Sequence, residues 1–126
     1  MKKIINTANA PAPIGPYNQA VLIKDTLYIS GQIPMDPSSG ELVQSGIKDE
    51  TRQSMENLKA ILTEAGMGFE QVVKSSIFIK DMNQFSQINE VYATYFDADT
   101  APARETVEVA NLPKFVNVEI SMIAVK

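Results

Sequence analysis

The 126-residue chain predicts an α+β domain, with two helices packed on one face of a single sheet. Two kinds of periodicity lead there. Several runs alternate polar and apolar residues at period two, as half-buried strands do, and two longer stretches repeat apolar residues at helical spacing. Their order is strand, strand, strand, helix, strand, helix, strand, strand. No repeat, low-complexity tract, Walker motif or dinucleotide fingerprint interrupts it. One domain over residues 1–126 accounts for the whole length.

Residues 3–6 predict a short edge strand. Ala10-Pro11-Ala12-Pro13-Ile14-Gly15-Pro16-Tyr17 follows, and its prolines fix φ and remove backbone donors, giving a stiff extended surface segment. Tyr17 opens a strand through Ile23; by itself it reads as an aromatic lid on the core, although a rigid loop also suits it to lining a pocket. Lys24-Asp25 forms a tight turn into the strand Thr26–Ile33. Gly31 inside that strand marks a bulge or a close approach to the backbone. Asp36-Pro37-Ser38-Ser39-Gly40 then reads as a loop.

Residues 48–65 predict the first helix. Thr51, Met55, Leu58, Leu62 and Ala65 form its apolar stripe, Arg52, Glu56, Lys59 and Glu64 face away, and Gly66 supplies a left-handed C-cap. Gln71–Lys80 is a strand, whose Lys74 and Lys80 read as solvated edge residues rather than Schiff-base lysines. The second helix is expected over 83–96, with Phe85, Ile88, Tyr92, Tyr95 and Phe96 on one side and Asp81/Gln84 as a capping box.

The last quarter holds two more alternating runs, 101–109 and 116–125. Paired as an antiparallel hairpin with residue 109 near 116, they would make Arg104 and Glu119 diagonal neighbours on one sheet face. A guanidinium and a carboxylate so placed are either a site or a structural ion pair, and from spacing alone the ion pair is the commoner outcome. The second sheet face has no cover within the chain, so a partner subunit is its natural cover.

Composition narrows the chemistry. The chain has no Cys and no His, which removes thiol nucleophiles, thiolate metal sites, the usual triad base and the commonest metal ligand. Oxygen ligands remain, but no carboxylate cluster has EF-hand spacing. A net charge of -4 with scattered lysines and arginines disfavours a nucleic-acid surface. Met1-Lys2-Lys3-Ile4-Ile5 has too short an apolar run for a signal peptide, and no stretch approaches ~20 apolar residues. The expectation is a cytoplasmic protein with neither metal nor cofactor.

Taken together, the motifs resemble the reactive-intermediate deaminase family, Rid (YjgF), over essentially the whole chain. They are Ala12-Pro13-Ile14-Gly15-Pro16-Tyr17, Ile29-Ser30-Gly31-Gln32-Ile33-Pro34, Asn57-Leu58-Lys59, Val72-Val73-Lys74, Phe78-Ile79-Lys80-Asp81-Met82, Ile88-Asn89-Glu90-Val91-Tyr92, Pro102-Ala103-Arg104, Val107-Glu108-Val109, Leu112-Pro113 and Val118-Glu119-Ile120.

The resemblance implies a chorismate-mutase-like fold and a homotrimer, with three sheets forming a central barrel and sites at the interfaces. It implies hydrolysis of 2-imino acids, released by dehydratases that use pyridoxal phosphate, to 2-oxo acids and ammonia. Within it, Arg104 would grip the substrate carboxylate and Glu119 would handle the attacking water and its proton. Tyr17, Ser30, Gly31, Asn89 and Thr106 would line the pocket. Other roles linked to the fold are RNA cleavage, translation inhibition and regulation; a ligand-binding regulator is the second reading and a ribonuclease the third. Three positions depart from the family pattern. Thr106 stands where many members have Cys, Glu105 where a small residue is usual, and Ser121 where a second Glu is common.

Overall fold

A computed structural model describes residues 1–126. Six strands form one mixed sheet: β1 (Lys2–Ile5), β2 (Ala20–Ile23), β3 (Thr26–Gln32), β4 (Val72–Ile79), β5 (Ala103–Glu108) and β6 (Val118–Val125). Their spatial order is β1-β2-β3-β6-β4-β5. The helices α1 (Ile47–Glu64) and α2 (Phe85–Ala93) pack on one face, as the periodicities predict. The second helix is shorter than expected, a 3-10 turn over Met82–Gln84 preceding it. Asp81 caps that turn by accepting from the Asn83 amide at 2.9 Å, without the Gln84 half of a capping box. Gly66 has φ 73°, the left-handed conformation its place after α1 called for.

Strand periodicity sorts every side chain to one of two faces. Leu27, Ile29, Ile77, Ile79, Val118, Ile120, Met122 and Ala124 are all buried, and they meet Met55, Leu58, Ile61 and Leu62 of α1 in the core. The opposite face has no cover within the chain. Ile4, Tyr28, Val107 and Val125 are exposed there, beside Ser76, Phe78, Glu119 and Ser121.

The expected hairpin between the last two strands does not form. β5 runs parallel to β4, with Arg104 opposite Ser75 and Thr106 opposite Ile77, while β6 lies antiparallel between β3 and β4. The reason is in the crossover: β4, α2 and β5 form a βαβ unit, which returns the chain parallel to the strand it left. Charge then decides which strand takes the centre. β5, carrying Arg104, Glu105 and Glu108, tolerates the solvated edge, whereas β6 alternates buried apolar residues along its length and needs neighbours on both sides.

Candidate active site

Two separate clusters emerge from the residues that the sequence singled out. The first is built round Glu119. β3 carries an irregularity between Ile29 and Gln32, where the register against β6 shifts and one extra residue is accommodated. Gly31 lies in it, and the Glu119 carboxylate rests directly on its backbone: a Cβ there would stand 2.8 Å from Glu119 Cδ. Only glycine leaves that space. The sequence-level expectation of a bulge or close approach at Gly31 is thus met on both counts.

Glu119 opens into a concavity of about 410 Å³ lined by Ile14, Tyr17, Ser30, Gly31, Ile33, Pro113 and Glu119 itself. Each wall is held from below. Buried Gln19 binds the proline-rich segment through its side-chain amide, with Nε2 at 3.0 Å from the Thr7 carbonyl and 2.9 Å from that of Pro11. That segment carries Ile14 and Tyr17. The Ser30 hydroxyl donates to the Asn18 carbonyl at 2.6 Å, and its amide to Gln19 at 2.9 Å. Asn57 of α1 donates to the carbonyl of Ile33 at 3.1 Å. Pro113 belongs to a turn in which Lys114 and Phe115 both have positive φ, 54° and 57°. Consecutive non-glycine residues in that region are uncommon, and such strain collects where a wall must be placed.

The electrostatics of this cluster are simple. Burial raises the Glu119 pKa above the ordinary glutamate range, and neither of the chain's ion pairs involves this residue. A half-buried carboxylate without a cation holds its proton to higher pH and becomes a stronger base once ionised.

The second cluster surrounds Arg104, on the helix face of the edge strand. Arg104 Nη1 donates to Asn89 Oδ1 at 2.7 Å. Its guanidinium lies 5.0 Å from the Tyr92 ring centroid and 5.7 Å from that of Phe85. Phe85, Asn89 and Tyr92 follow one another at helical spacing, so one stripe of α2 contacts the arginine three times. Beside it, Thr106 Oγ1 is buried with no hydrogen-bond partner. No carboxylate pairs with Arg104, because the ion pairs are Lys48–Glu90 at 2.7 Å and Lys74–Glu105 at 2.6 Å. Glu105 points away from Arg104, bound to Lys74 and Ser76, and these contacts hold its carboxyl below the usual range.

The two clusters do not meet. β4 separates the strands that carry them, and Arg104 and Glu119 project from opposite sheet faces, so the diagonal pairing expected from the hairpin is corrected. Tyr17, Ser30 and Gly31 do converge with Glu119; Asn89 and Thr106 lie with Arg104. Ile14, Ile33 and Pro113 were not foreseen as walls, although all lie within the sequence blocks noted above. Tyr92 and Phe85 read as core-stripe residues, because a ring facing an arginine has the same spacing as one facing a leucine. A larger concavity, about 510 Å³, runs beside the exposed face of α1 and includes neither charged cluster.

A family model described as Endoribonuclease L-PSP matches residues 7–126. A mouse protein named 2-iminobutanoate/2-iminopropanoate deaminase is 49% identical, covering 100% of this chain and 93% of its own. The chain belongs to the Rid (YjgF) family. Among solved structures, a Rid family protein from Yersinia pestis is 48% identical with a TM-score of 0.97, covering 100% of both chains. TdcF from E. coli, solved with bound serine, is 46% identical at a TM-score of 0.92, with 98% of each chain covered. The Rid fold expected from the motifs is therefore the fold observed, a single mixed sheet with two helices on one face.

Proposed function

We propose that this Rid protein hydrolyses 2-imino acids, and their enamine tautomers, to 2-oxo acids and ammonia in sites shared between copies of the chain. The observation that carries the proposal is the separation of the two clusters: a carboxylate of raised pKa over a pocket on one sheet face, and a preorganised arginine without an acidic partner on the other. Within one chain each is half a site. A ring of copies joins them, with the edge strand β5 of one copy bordering the open-face pocket of the next. Three copies would also bury the apolar residues Tyr28, Val107 and Val125 that the fold leaves exposed.

The residues then divide the reaction. The Arg104 guanidinium grips the substrate carboxylate through two parallel N–H donors. Apolar Ile14, Ile33 and Pro113 receive a small side chain beside Tyr17. Glu119 accepts a proton from water as its oxygen bonds to the imine carbon, and the proton passes to the nitrogen. The resulting carbinolamine expels ammonia as the carbon–oxygen double bond forms. An enamine first takes a proton at carbon to reach the imine. Every step needs positioning and proton transfer by groups that this chain possesses. The name of the mouse relative supports the substrate class, and the serine bound to TdcF supports a pocket that holds an amino-acid carboxylate.

The test is a coupled assay. A threonine dehydratase supplies 2-iminobutanoate, and 2-oxobutanoate release is followed with and without this protein. Acceleration is expected. Binding of 2-oxobutanoate without acceleration would instead favour a ligand-sensing regulator.

A further inference from the structure

The Arg104 cluster contains a buried contact that neither substrate nor water needs to touch. Tyr92 and Ser75 are 5% and 0% exposed, and the Tyr92 hydroxyl donates to Ser75 Oγ at 2.9 Å. Ser75 is also the β4 residue directly opposite Arg104 in the β4–β5 ladder. One residue pair thus ties α2 to the strand beside the arginine, and the ring that it fixes is the nearer of the two under the guanidinium. Asn89 Oδ1 holds the guanidinium from one nitrogen. A planar cation with one anchored nitrogen can still swing about it, and the fixed ring restricts that swing. Arg104 is solvent-exposed and carries no ion pair, so within the chain only the Asn89 bond and the Tyr92 and Phe85 rings bear on its plane. Of the two rings, Tyr92 is the nearer and the one tied by a hydrogen bond.

We propose that Tyr92, locked by Ser75, is a positioning residue that sets the plane of the Arg104 guanidinium for a carboxylate ligand. The inference rests on the proposed function, since it assumes that Arg104 grips a carboxylate. The sequence offers a core-stripe tyrosine here, and a core role alone needs no hydroxyl and no arginine over the ring.

The experiment measures 2-oxobutanoate affinity and melting temperature for the wild type and five variants: Tyr92→Leu, Tyr92→Phe, Ser75→Ala, Arg104→Ala and the double variant Arg104→Ala/Tyr92→Leu. Tyr92→Leu removes the ring, and Kd is expected to rise about tenfold, the scale of a partly desolvated cation–π contact. Tyr92→Phe and Ser75→Ala keep the ring but release it, and each is expected to weaken binding about threefold. These two milder variants carry the test should Tyr92→Leu fail to fold. Adding Tyr92→Leu to Arg104→Ala is expected to change affinity no further, because the effect passes through the arginine. A purely structural tyrosine would lower melting temperature and leave affinity unchanged in the two Tyr92 variants and in Ser75→Ala, which would overturn the proposal while Arg104→Ala still lost binding. An equal loss from Tyr92→Leu in both backgrounds would overturn it as well. Full binding by Arg104→Ala would bring down the carboxylate-grip reading itself, and this inference with it.

Discussion

Glu119 meets two conditions that a water-activating base requires: an environment that raises its pKa and an open space in front of its oxygens. The sign of its pH dependence follows. Its folded-state pKa lies above the unfolded value, so the folded chain pays for ionising it; stability falls as pH climbs through the ordinary glutamate range to the raised value. Imine hydrolysis, which needs the ionised form, should rise over that same upper interval. Glu119→Gln is therefore expected to lose ~10²–10⁴-fold in turnover while its melting temperature at neutral pH stays at or above that of the wild type. A pH series of turnover and melting temperature for both proteins checks this. Arg104→Lys keeps the charge but not the planar fork, and neither the Asn89 bond nor the two rings suit an ammonium of shorter reach. A displacement of ~1 Å costs on the order of a hundredfold. Steady-state kinetics on 2-iminobutanoate should show that loss, with melting temperature little changed because the side chain is exposed.

Elements were legible in proportion to how local their causes are. Both helices, the C-cap at Gly66 and the bulge at Gly31 follow from spacing and from single residues, and the structure has each of them. Pairing of β5 was not legible from its own pattern, since alternation looks alike in a hairpin and in a βαβ unit. The information lay upstream, in α2 between β4 and β5. The Glu119 pocket was half legible: Tyr17, Ser30 and Gly31 are carried by motifs, while Ile14, Ile33 and Pro113 are walls only because distant segments close on them. The start of β6 is pinned in a similarly non-local way. Asn117 Nδ2 donates to Glu50 Oε1 at 2.9 Å, and Glu50 is only 6% exposed at the first turn of α1. Removing that donor leaves a buried carboxylate oxygen unpartnered. Asn117→Ala should lower stability by ~1–3 kcal/mol, measurable by urea unfolding. It should also slow turnover, because Glu119 lies two residues downstream.

At the scale of the molecule, one fact organises the proposed function: the two clusters lie on opposite faces of one sheet, with β4 between the strands that carry them. In the proposed assembly the exposed apolar residues of the open face and the charged edge strand belong to one surface, which copies of the chain would complete. Sharing of a site between subunits leaves a signature that no single-chain site can imitate. Arg104→Ala and Glu119→Gln chains, each inactive alone, are co-expressed with different tags, and oligomers containing both are isolated and assayed. If every site takes its arginine from one copy and its glutamate from the next, each isolated mixed trimer carries one intact site of its three, and turnover should recover to about one third of the wild-type level. Activity no higher than the sum of the two inactive parents would mean that both residues act from the same chain, and the proposed shared site would be wrong.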